Sequence, residues 1–99
     1  MQNKVVEFHL GAALEYDSTF EWYLERSELA AARFIVEIEL GLVAIGENPQ
    51  RWPLGRRGTR KFILPNFPFS LIYRELPSRI QIVAVAHGKR RPDYWKDRL

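Results

Sequence analysis

The chain has 99 residues, of which 46% are hydrophobic, and it contains no cysteine. This length is typical of one domain, which we take to span residues 1–99, and the lack of cysteine excludes disulfides and thiolate metal sites within it. No segment approaches the roughly 18 apolar residues of a membrane span, and the N-terminus does not resemble a signal peptide, so we expect a cytoplasmic protein with no membrane partner.

The charged residues are distributed unevenly between the two halves of the chain. Residues 1–49 contain three Lys or Arg against nine Asp or Glu, whereas residues 50–99 contain twelve against three. The net charge of +3 therefore conceals −6 in the first half and +9 in the second. Nine surplus cations cannot all find partners in their own half, which predicts a basic binding face there. The acidic residues of the first half are equally consistent with solvated outer faces of helices.

The first half predicts a strand followed by two helices. Residues 5–10 are rich in β-branched and aromatic side chains, as strands are, and Gly11 ends them. Apolar residues at three- and four-residue spacing predict an amphipathic helix over 12–26. Ser27 is a suitable N-cap for a second helix, which must end before Pro49 because proline disfavours helical geometry in the preceding residue. The short connection predicts an antiparallel helical hairpin.

The second half predicts a basic loop over 50–60 and then three strands, over 61–64, 69–75 and 79–87. The resulting order is β-α-α-β-β-β, an α+β fold in which the hairpin packs on an antiparallel-rich sheet. In the last strand, simple alternation places Ile80, Ile82, Ala84 and Ala86 on one face, with Val83 and Val85 on the other. Apolar residues on both faces indicate a central strand that is covered on both sides, or a strand that a partner protein covers.

The last strand ends at His87 and continues directly into Gly88, three cations, a proline and two aromatic residues. A buried strand that leads into cations and aromatics holds these groups on a rigid support at one edge of the fold. Sites that bind polyanions or acidic protein surfaces are commonly built in this way.

Metal and cofactor chemistry has little support in the sequence. The two histidines, His9 and His87, lie far apart and belong to no metal-ligand spacing, and no nucleotide-binding loop or nucleophile elbow occurs. We therefore expect no cofactor and no metal. His9 is interpreted as the end of a strand, while His87 lies beside the cations and is the better functional candidate.

Phosphate chemistry without a metal remains open. RNA cleavage by 2′-hydroxyl attack needs a base, a proton donor and cations around the phosphorane. Residues of the right types are Lys61, Arg74, His87, Lys89, Arg90, Arg91 and Tyr94. The structural alternative is that Tyr94 and Trp95 pack over the sheet edge while the cations are solvated.

Four stretches together resemble the RelE/ParE superfamily of toxins from bacterial type II toxin–antitoxin systems, and the resemblance extends over nearly the whole chain. They are Phe20 to Tyr23, Asn48-Pro49 with Trp52-Pro53, Phe67 to Tyr73, and Val83 to Trp95. The resemblance implies a toxin that is neutralised by a cognate antitoxin, whose acidic segment covers the helical hairpin and the sheet. The antitoxin-binding residues that we predict are Phe20, Tyr23, Phe34 and Ile38.

Two branches of this superfamily differ in chemistry. RelE-like members cleave mRNA on the ribosome, and Lys61 and Arg90 match a lysine and an arginine of their catalytic site. If the chain is such a nuclease, the catalytic residues that we predict are Lys61, His87, Arg90 and Tyr94. Two further positions of the RelE-like site, a lysine and an arginine, are occupied by Ile63 and Ser70. Tyr94 is displaced by about two residues from the position of the nuclease tyrosine. ParE-like members share the fold and poison DNA gyrase.

The departures at Ile63 and Ser70 favour a ParE-like gyrase inhibitor, with a metal-independent mRNA endonuclease as the alternative. A non-toxic module that binds antitoxin or nucleic acid is a third hypothesis. For the favoured reading, the target-binding residues that we predict are His87, Lys89, Arg90, Arg91, Tyr94 and Trp95.

Overall fold

The structure is a computed structural model that describes residues 4–99. In chain order its helices and strands are β1 (Val5–Phe8), α1 (Leu10–Leu24), α2 (Glu28–Glu47), β2 (Arg60–Ile63), β3 (Phe69–Glu75) and β4 (Arg79–His87). Short 3₁₀ turns lie at Pro49–Arg51, Arg56–Gly58 and Lys96–Arg98. None of the described helices is long and apolar enough to cross a membrane.

The predicted element order is confirmed, and local capping explains where the helices begin and end. The Oγ of Ser27 accepts a hydrogen bond of 3.1 Å from the backbone N–H of Ala30, as an N-cap should. Before the first helix, Nδ1 of His9 accepts from the N–H of Gly11 at 2.9 Å. His9 is therefore the N-cap of α1 and does not belong to the strand, which makes β1 shorter and α1 earlier than predicted.

The four strands form one mixed sheet in the order β1-β4-β3-β2. β1 pairs in parallel with β4, while β3 is antiparallel to both β4 and β2. The α+β class, with the two helices on a sheet that is mostly antiparallel, is confirmed. β4 lies inside the sheet between β1 and β3, as its apolar sequence indicates.

The sheet is covered on both faces, but by different parts of the chain. On one face the two helices form the main core, whose buried members include Phe34, Ile38, Ile45, Leu71, Tyr73, Ile80 and Ile82. On the other face a smaller cluster brings Trp95 against Ile72, Val83 and Ala84. The residues that follow β4 therefore return to cover the face that the helices leave open.

A β-bulge in β4 changes the predicted alternation of its side chains. Ile72 lies opposite Ala84, but its neighbour Tyr73 lies opposite Ile82, so Val83 is an extra residue on β4. Two successive residues then occupy one pairing position, and the faces exchange beyond it. Val85 consequently packs in the helix-side core, while Ala84 and Ala86 join the opposite cluster. The prediction that Ile80, Ile82, Ala84 and Ala86 share a face is therefore wrong.

Candidate functional site

The sheet face opposite the helices carries a groove of about 300 Å³ beside the end of β4. We call it the basic groove. Its cationic members are Arg56, Lys61, Arg90 and Arg91, and its other lining residues include Ser70, Ile72, Ala86 and Tyr94. The structure therefore brings the cations of the 50–60 loop, β2 and the C-terminal segment to one place, as the charge distribution predicts.

The floor of the basic groove is formed by β2 and β3 and is mainly apolar. Lys61 lies opposite Ile72, and Ser70 lies between Ile63 on β2 and Ala86 on β4. Paired residues of an antiparallel sheet project on the same side, so Lys61 contributes a strand cation to this floor. Ile63 and Ser70, on the same side, contribute none.

Arg74 does not belong to the groove, although its residue type suited phosphate chemistry. Its Nε donates a hydrogen bond of 2.8 Å to Oε1 of Gln81, its partner on β4. Arg74 is not among the residues that line the groove.

The C-terminal segment packs on the sheet more firmly than the target-binding prediction assumed. Trp95 is only 5% exposed and contacts Ile72, Val83 and Ala84. Trp95 therefore packs on the sheet, as the packing alternative describes, and it lines the basic groove as a nearly buried residue. Its role in target binding stays a prediction.

Tyr94 is half-buried, and its hydroxyl is already engaged. The hydroxyl donates a hydrogen bond of 2.9 Å to Oε2 of Glu15 on α1. Burial, together with the carboxylate of Glu15, raises the pKa of Tyr94 well above its ordinary value. Its ring supports Arg90, whose guanidinium carbon lies 3.8 Å from the ring centroid. Tyr94 is therefore placed to hold a cation and not to exchange a proton.

Asp93 connects two basic segments that would otherwise repel each other. Its Oδ2 lies 3.4 Å from Nη1 of Arg56 and 3.4 Å from Nε of Arg57. The Asp93 backbone has a φ of 63°, a left-handed conformation that Asp and Asn tolerate better than most residues. Its Oδ1 is buried and has no hydrogen-bond partner among residues 4–99.

His87 borders the basic groove, but its ring is directed to the helix side of the sheet. It lies opposite Phe69 and meets it edge-on, with ring centroids 5.0 Å apart. Its Nδ1 accepts a hydrogen bond of 3.0 Å from the N–H of Lys89. The ring also lines a second pocket of about 440 Å³, which it shares with Trp22, Tyr23 and Phe69. The structure therefore separates the imidazole from Lys61, with which it was predicted to act.

Of the predicted catalytic and target-binding residues, all but Lys89 line the basic groove: Lys61, His87, Arg90, Arg91, Tyr94 and Trp95. Of these, His87 packs its ring against Phe69, and Trp95 is nearly buried. Lys89 is exposed at the same end of β4 but does not line the groove. The site residues that sequence reasoning missed are Arg56, Arg57, Asp93 and Glu15. The positive charge of the 50–60 loop was a usable signal for the two arginines. No local signal distinguishes Glu15 or Asp93 from other surface carboxylates.

The predicted antitoxin contacts need correction at two positions. Phe34 and Ile38 are 0% and 1% exposed in the main core, so a partner that docks on this structure does not reach them. Phe20 and Tyr23 are half-buried against the same core, and Tyr23 reaches the second pocket. The large apolar side chains that α2 exposes lie on its opposite face and are Leu29, Val36, Leu40 and Val43.

Among residues 4–99, no group of three or more His, Asp or Glu side chains is arranged to hold a metal ion. The basic groove itself combines cations with an apolar floor, which is a poor environment for a divalent cation and a good one for anionic groups. The arrangement therefore suits electrostatic binding of an acidic or phosphate-bearing partner.

Comparison with known proteins gives the family of the chain. The family model described as "ParE toxin of type II toxin-antitoxin system, parDE" matches residues 6–92. A solved structure, described as the chromosomal ParDE TA system from P. aeruginosa, superposes with a TM-score of 0.74 at 19% identity. That match covers 85% of this chain and 95% of the other, and at this identity it shows a shared fold. No curated protein matches the chain. The match of the family model confirms the resemblance seen in the sequence, and the chain belongs to the ParE family of type II toxins.

Proposed function

We propose that this toxin inhibits DNA gyrase and that a cognate antitoxin neutralises it. The observation that carries the proposal is the composition of the basic groove, with arginines at its rim and Ser70, Ile72 and Ala86 on its floor. Exposed cations on a rigid sheet edge favour the capture of an acidic protein surface or a DNA–protein complex. Binding of this kind needs no chemical reaction in the groove.

The groove has few side chains placed to act as a general acid or base, and this supports a binding role. Ser70 and Ile63 provide neither a proton-transfer group nor a cation near a scissile phosphate. The hydroxyl of Tyr94 is bonded to Glu15, and the raised pKa makes it a weak acid. His87, the remaining candidate base, is directed against Phe69 on the other side of the sheet.

The second candidate is a RelE-like, metal-independent mRNA endonuclease. One observation favours it, because Lys61, Arg90 and Tyr94 line the same groove. Cations that surround a phosphorane stabilise its charge, so these residues could contribute to cleavage even with an incomplete acid–base pair. The two candidates therefore share a site and differ in what the site does.

The apolar outer face of α2 supports the presence of an antitoxin. Leu29, Val36, Leu40 and Val43 are 52–64% exposed, on the opposite side of the helix from Phe34. Beside them runs a groove of about 750 Å³ that Phe67 also lines. A surface helix usually has one apolar face, so a second one predicts a partner that covers it.

A parallel assay of purified toxin distinguishes the two candidate targets. We expect gyrase cleavage complexes to accumulate on supercoiled DNA, and mRNA on translating ribosomes to remain intact. Cleavage of mRNA without gyrase complexes would replace the first candidate by the second. The absence of both activities in folded protein would leave the non-toxic binding module.

Substitutions in the groove test whether it is the target-binding site. The double variant Arg90→Ala with Arg91→Ala should lose at least about tenfold in potency, since each exposed interfacial charge contributes on the order of 1 kcal/mol. Arg79→Ala, at the opposite end of β4, is the matched control and should keep full potency. Truncation before His87 is unsuitable, because it removes Trp95 and Arg98, which are packed against the fold.

The antitoxin surface is tested separately, with the cognate antitoxin. Val36→Ser with Leu40→Ser should weaken the complex by at least roughly a hundredfold, because each buried aliphatic side chain contributes about 1.5–3 kcal/mol. Leu54→Ser is the control, since Leu54 is equally exposed but lies in the 50–60 loop. Unchanged affinity in the α2 variant, measured by calorimetry, would place the antitoxin on another surface.

A further inference from the structure

The half of β4 that leads to the basic groove has an open edge. β1 ends at Phe8, and its last backbone contact with β4 is the hydrogen bond of 2.9 Å from His9 N–H to the carbonyl of Ile82. Beyond this point, no described strand continues along that side of β4. Backbone groups in a buried strand must find partners, so other atoms have to replace the missing strand.

The side chains of Glu15 and Arg98 provide those partners. Oε1 of Glu15 accepts a hydrogen bond of 2.9 Å from the N–H of Val85. Nη1 of Arg98 donates one of 3.0 Å to the carbonyl of Val83. The two side chains also pair with each other, at 3.0 Å and 2.9 Å, with only 17% and 20% of their side-chain surfaces exposed. Such a two-bond pair fixes geometry as well as charge.

The same carboxylate fixes the orientation of Tyr94. The bond from the Tyr94 hydroxyl to Oε2 of Glu15 holds the ring against the sheet. Arg90 lies over that ring at 3.8 Å, and the guanidinium of Arg98 lies 5.3 Å from the same ring centroid. A contiguous series of contacts therefore runs from α1, through Glu15 and Tyr94, to a cation of the basic groove.

We infer that Glu15 is a positioning residue for the target-binding site. It holds the Tyr94 ring so that Arg90 is presented in one orientation at the basic groove. A preorganised cation loses less conformational freedom on binding than a free one, so the contact with the target is stronger. Because its consequence for gyrase rests on the proposed function, the experiment needs one measurement that does not involve gyrase.

That measurement is the NMR shift of the Arg90 side chain in the full-length toxin. Protons that lie over an aromatic ring are shifted upfield, so the Arg90 Hδ and Hε resonances should be upfield in the unaltered protein. Glu15→Gln keeps the size of the side chain but removes its charge, and should move these resonances towards the values of a free arginine. Glu21→Gln, an exposed change of the same kind on α1, should leave them in place.

A double-mutant cycle provides the functional measurement. Glu15→Gln should weaken gyrase poisoning by roughly tenfold, which is the usual scale for losing a charge-assisted hydrogen bond. In the Arg90→Ala background the same change should have little further effect, because there is no longer a guanidinium to orient. If Glu15→Gln proves unstable, Tyr94→Phe keeps the ring and removes only its hydroxyl. It should weaken gyrase poisoning by a smaller factor, and it should likewise have little further effect in the Arg90→Ala background.

The outcomes separate this inference from the proposed function. The positioning role would be overturned if the Arg90 resonances of folded Glu15→Gln protein were unchanged. It would also be overturned if Glu15→Gln reduced potency in the Arg90→Ala background as much as it does in the unaltered protein. A changed Arg90 shift in a toxin that does not act on gyrase would support the positioning role and overturn only the proposed target.

Discussion

The ring of His87 meets the ring of Phe69 edge-on, with centroids 5.0 Å apart, where β3 and β4 end together. This relationship explains why a histidine beside three cations need not be a catalytic base. Edge-to-face pairs of this kind contribute about 0.5–1.5 kcal/mol beyond their burial. The imidazole therefore packs at the end of the main core, although His87 directly precedes the basic segment in the chain.

We expect the packing role of His87 to be separable from its chemistry. His87→Phe should keep the free energy of unfolding within about 0.5 kcal/mol, whereas His87→Ala should lower it by about 1 kcal/mol. Urea denaturation measures both values. His87→Phe should also keep its potency towards the target. A stable His87→Phe variant without potency would show instead that the imidazole contacts the target.

Two glycines of α2 should respond in opposite ways to the same substitution. A Cβ on Gly41 would lie 2.9 Å from Cε1 of Phe62 and 3.1 Å from Cδ1 of Leu71, whereas one on Gly46 would lie 3.5 Å from Cγ2 of Val6. Gly46→Ala should therefore stabilise the protein by about 0.5 kcal/mol through helix propensity. Gly41→Ala should destabilise it by about 1 kcal/mol, because the core would be overpacked.

Thermal and urea denaturation of the two variants provide this comparison, and each serves as the control for the other. Equal stabilisation by both substitutions would mean that Phe62 moves aside at no cost. In that case the close approach of α2 to the sheet at Gly41 would not depend on a glycine.

Most of the fold could be predicted from the sequence, because its signals are local. Ser27 and Pro49 delimit α2 through capping and through the geometry before proline, and both act within a few residues. The bulge at Val83 could not be predicted, because it depends on how β3 and β4 align across the sheet. One inserted residue then reverses every face assignment that follows it.

The grouping of cations beside the end of β4 could be predicted from the sequence, but the contacts that hold them could not, for the same reason. The cations after β4 are visible in the sequence as a run. The carboxylate that orders them, Glu15, lies 79 positions before Tyr94 and 83 before Arg98. In the sequence it is one of several acidic residues on a helix, with no pattern that distinguishes it. Only the folded structure shows that Glu15 accepts a hydrogen bond from the open edge of β4.

At the opposite end of the sheet, the ion pair of Lys4 and Glu75 should make stability depend on acidity. Nζ of Lys4 lies 3.0 Å from Oε2 of Glu75, and this hydrogen bond is the main cause that lowers the pKa of Glu75 below its ordinary value. A carboxyl with a lower pKa in the folded state binds protons more readily when unfolded. Its contribution is therefore present above the unfolded pKa of about 4.3 and is lost as the pH falls through the folded value.

Glu75→Gln should remove this contribution to the fall in the free energy of unfolding at acid pH. Because the pair is partly exposed, we expect a contribution of less than about 1 kcal/mol, which is reduced further by salt. The measurement is the free energy of unfolding between pH 3 and pH 7 in low and high salt. Identical slopes for the variant and the unaltered protein would show that the contact forms equally in the unfolded chain.

Tyr73 should produce the converse dependence on the alkaline side. Its ring is fully buried, its hydroxyl donates a hydrogen bond of 2.7 Å to the carbonyl of Pro49, and burial raises its pKa to about 12. The unfolded chain, with a tyrosine pKa of about 10, releases this proton first. The stabilisation is therefore complete below about pH 10 and is lost as the pH rises towards the folded value.

Tyr73→Phe separates the hydrogen bond from the titration. At neutral pH the free energy of unfolding of the variant should be about 1–2 kcal/mol lower, because the carbonyl of Pro49 is left without its donor. Above pH 10 the difference in the free energy of unfolding between the variant and the unaltered protein should narrow. Only the unaltered protein has a Tyr73 hydroxyl that ionises in the unfolded chain, and this ionisation favours unfolding. Tyr94 titrates in both proteins and cancels from the comparison. A gap that stays constant to pH 11 would mean that Tyr73 ionises equally in both states, contrary to its burial.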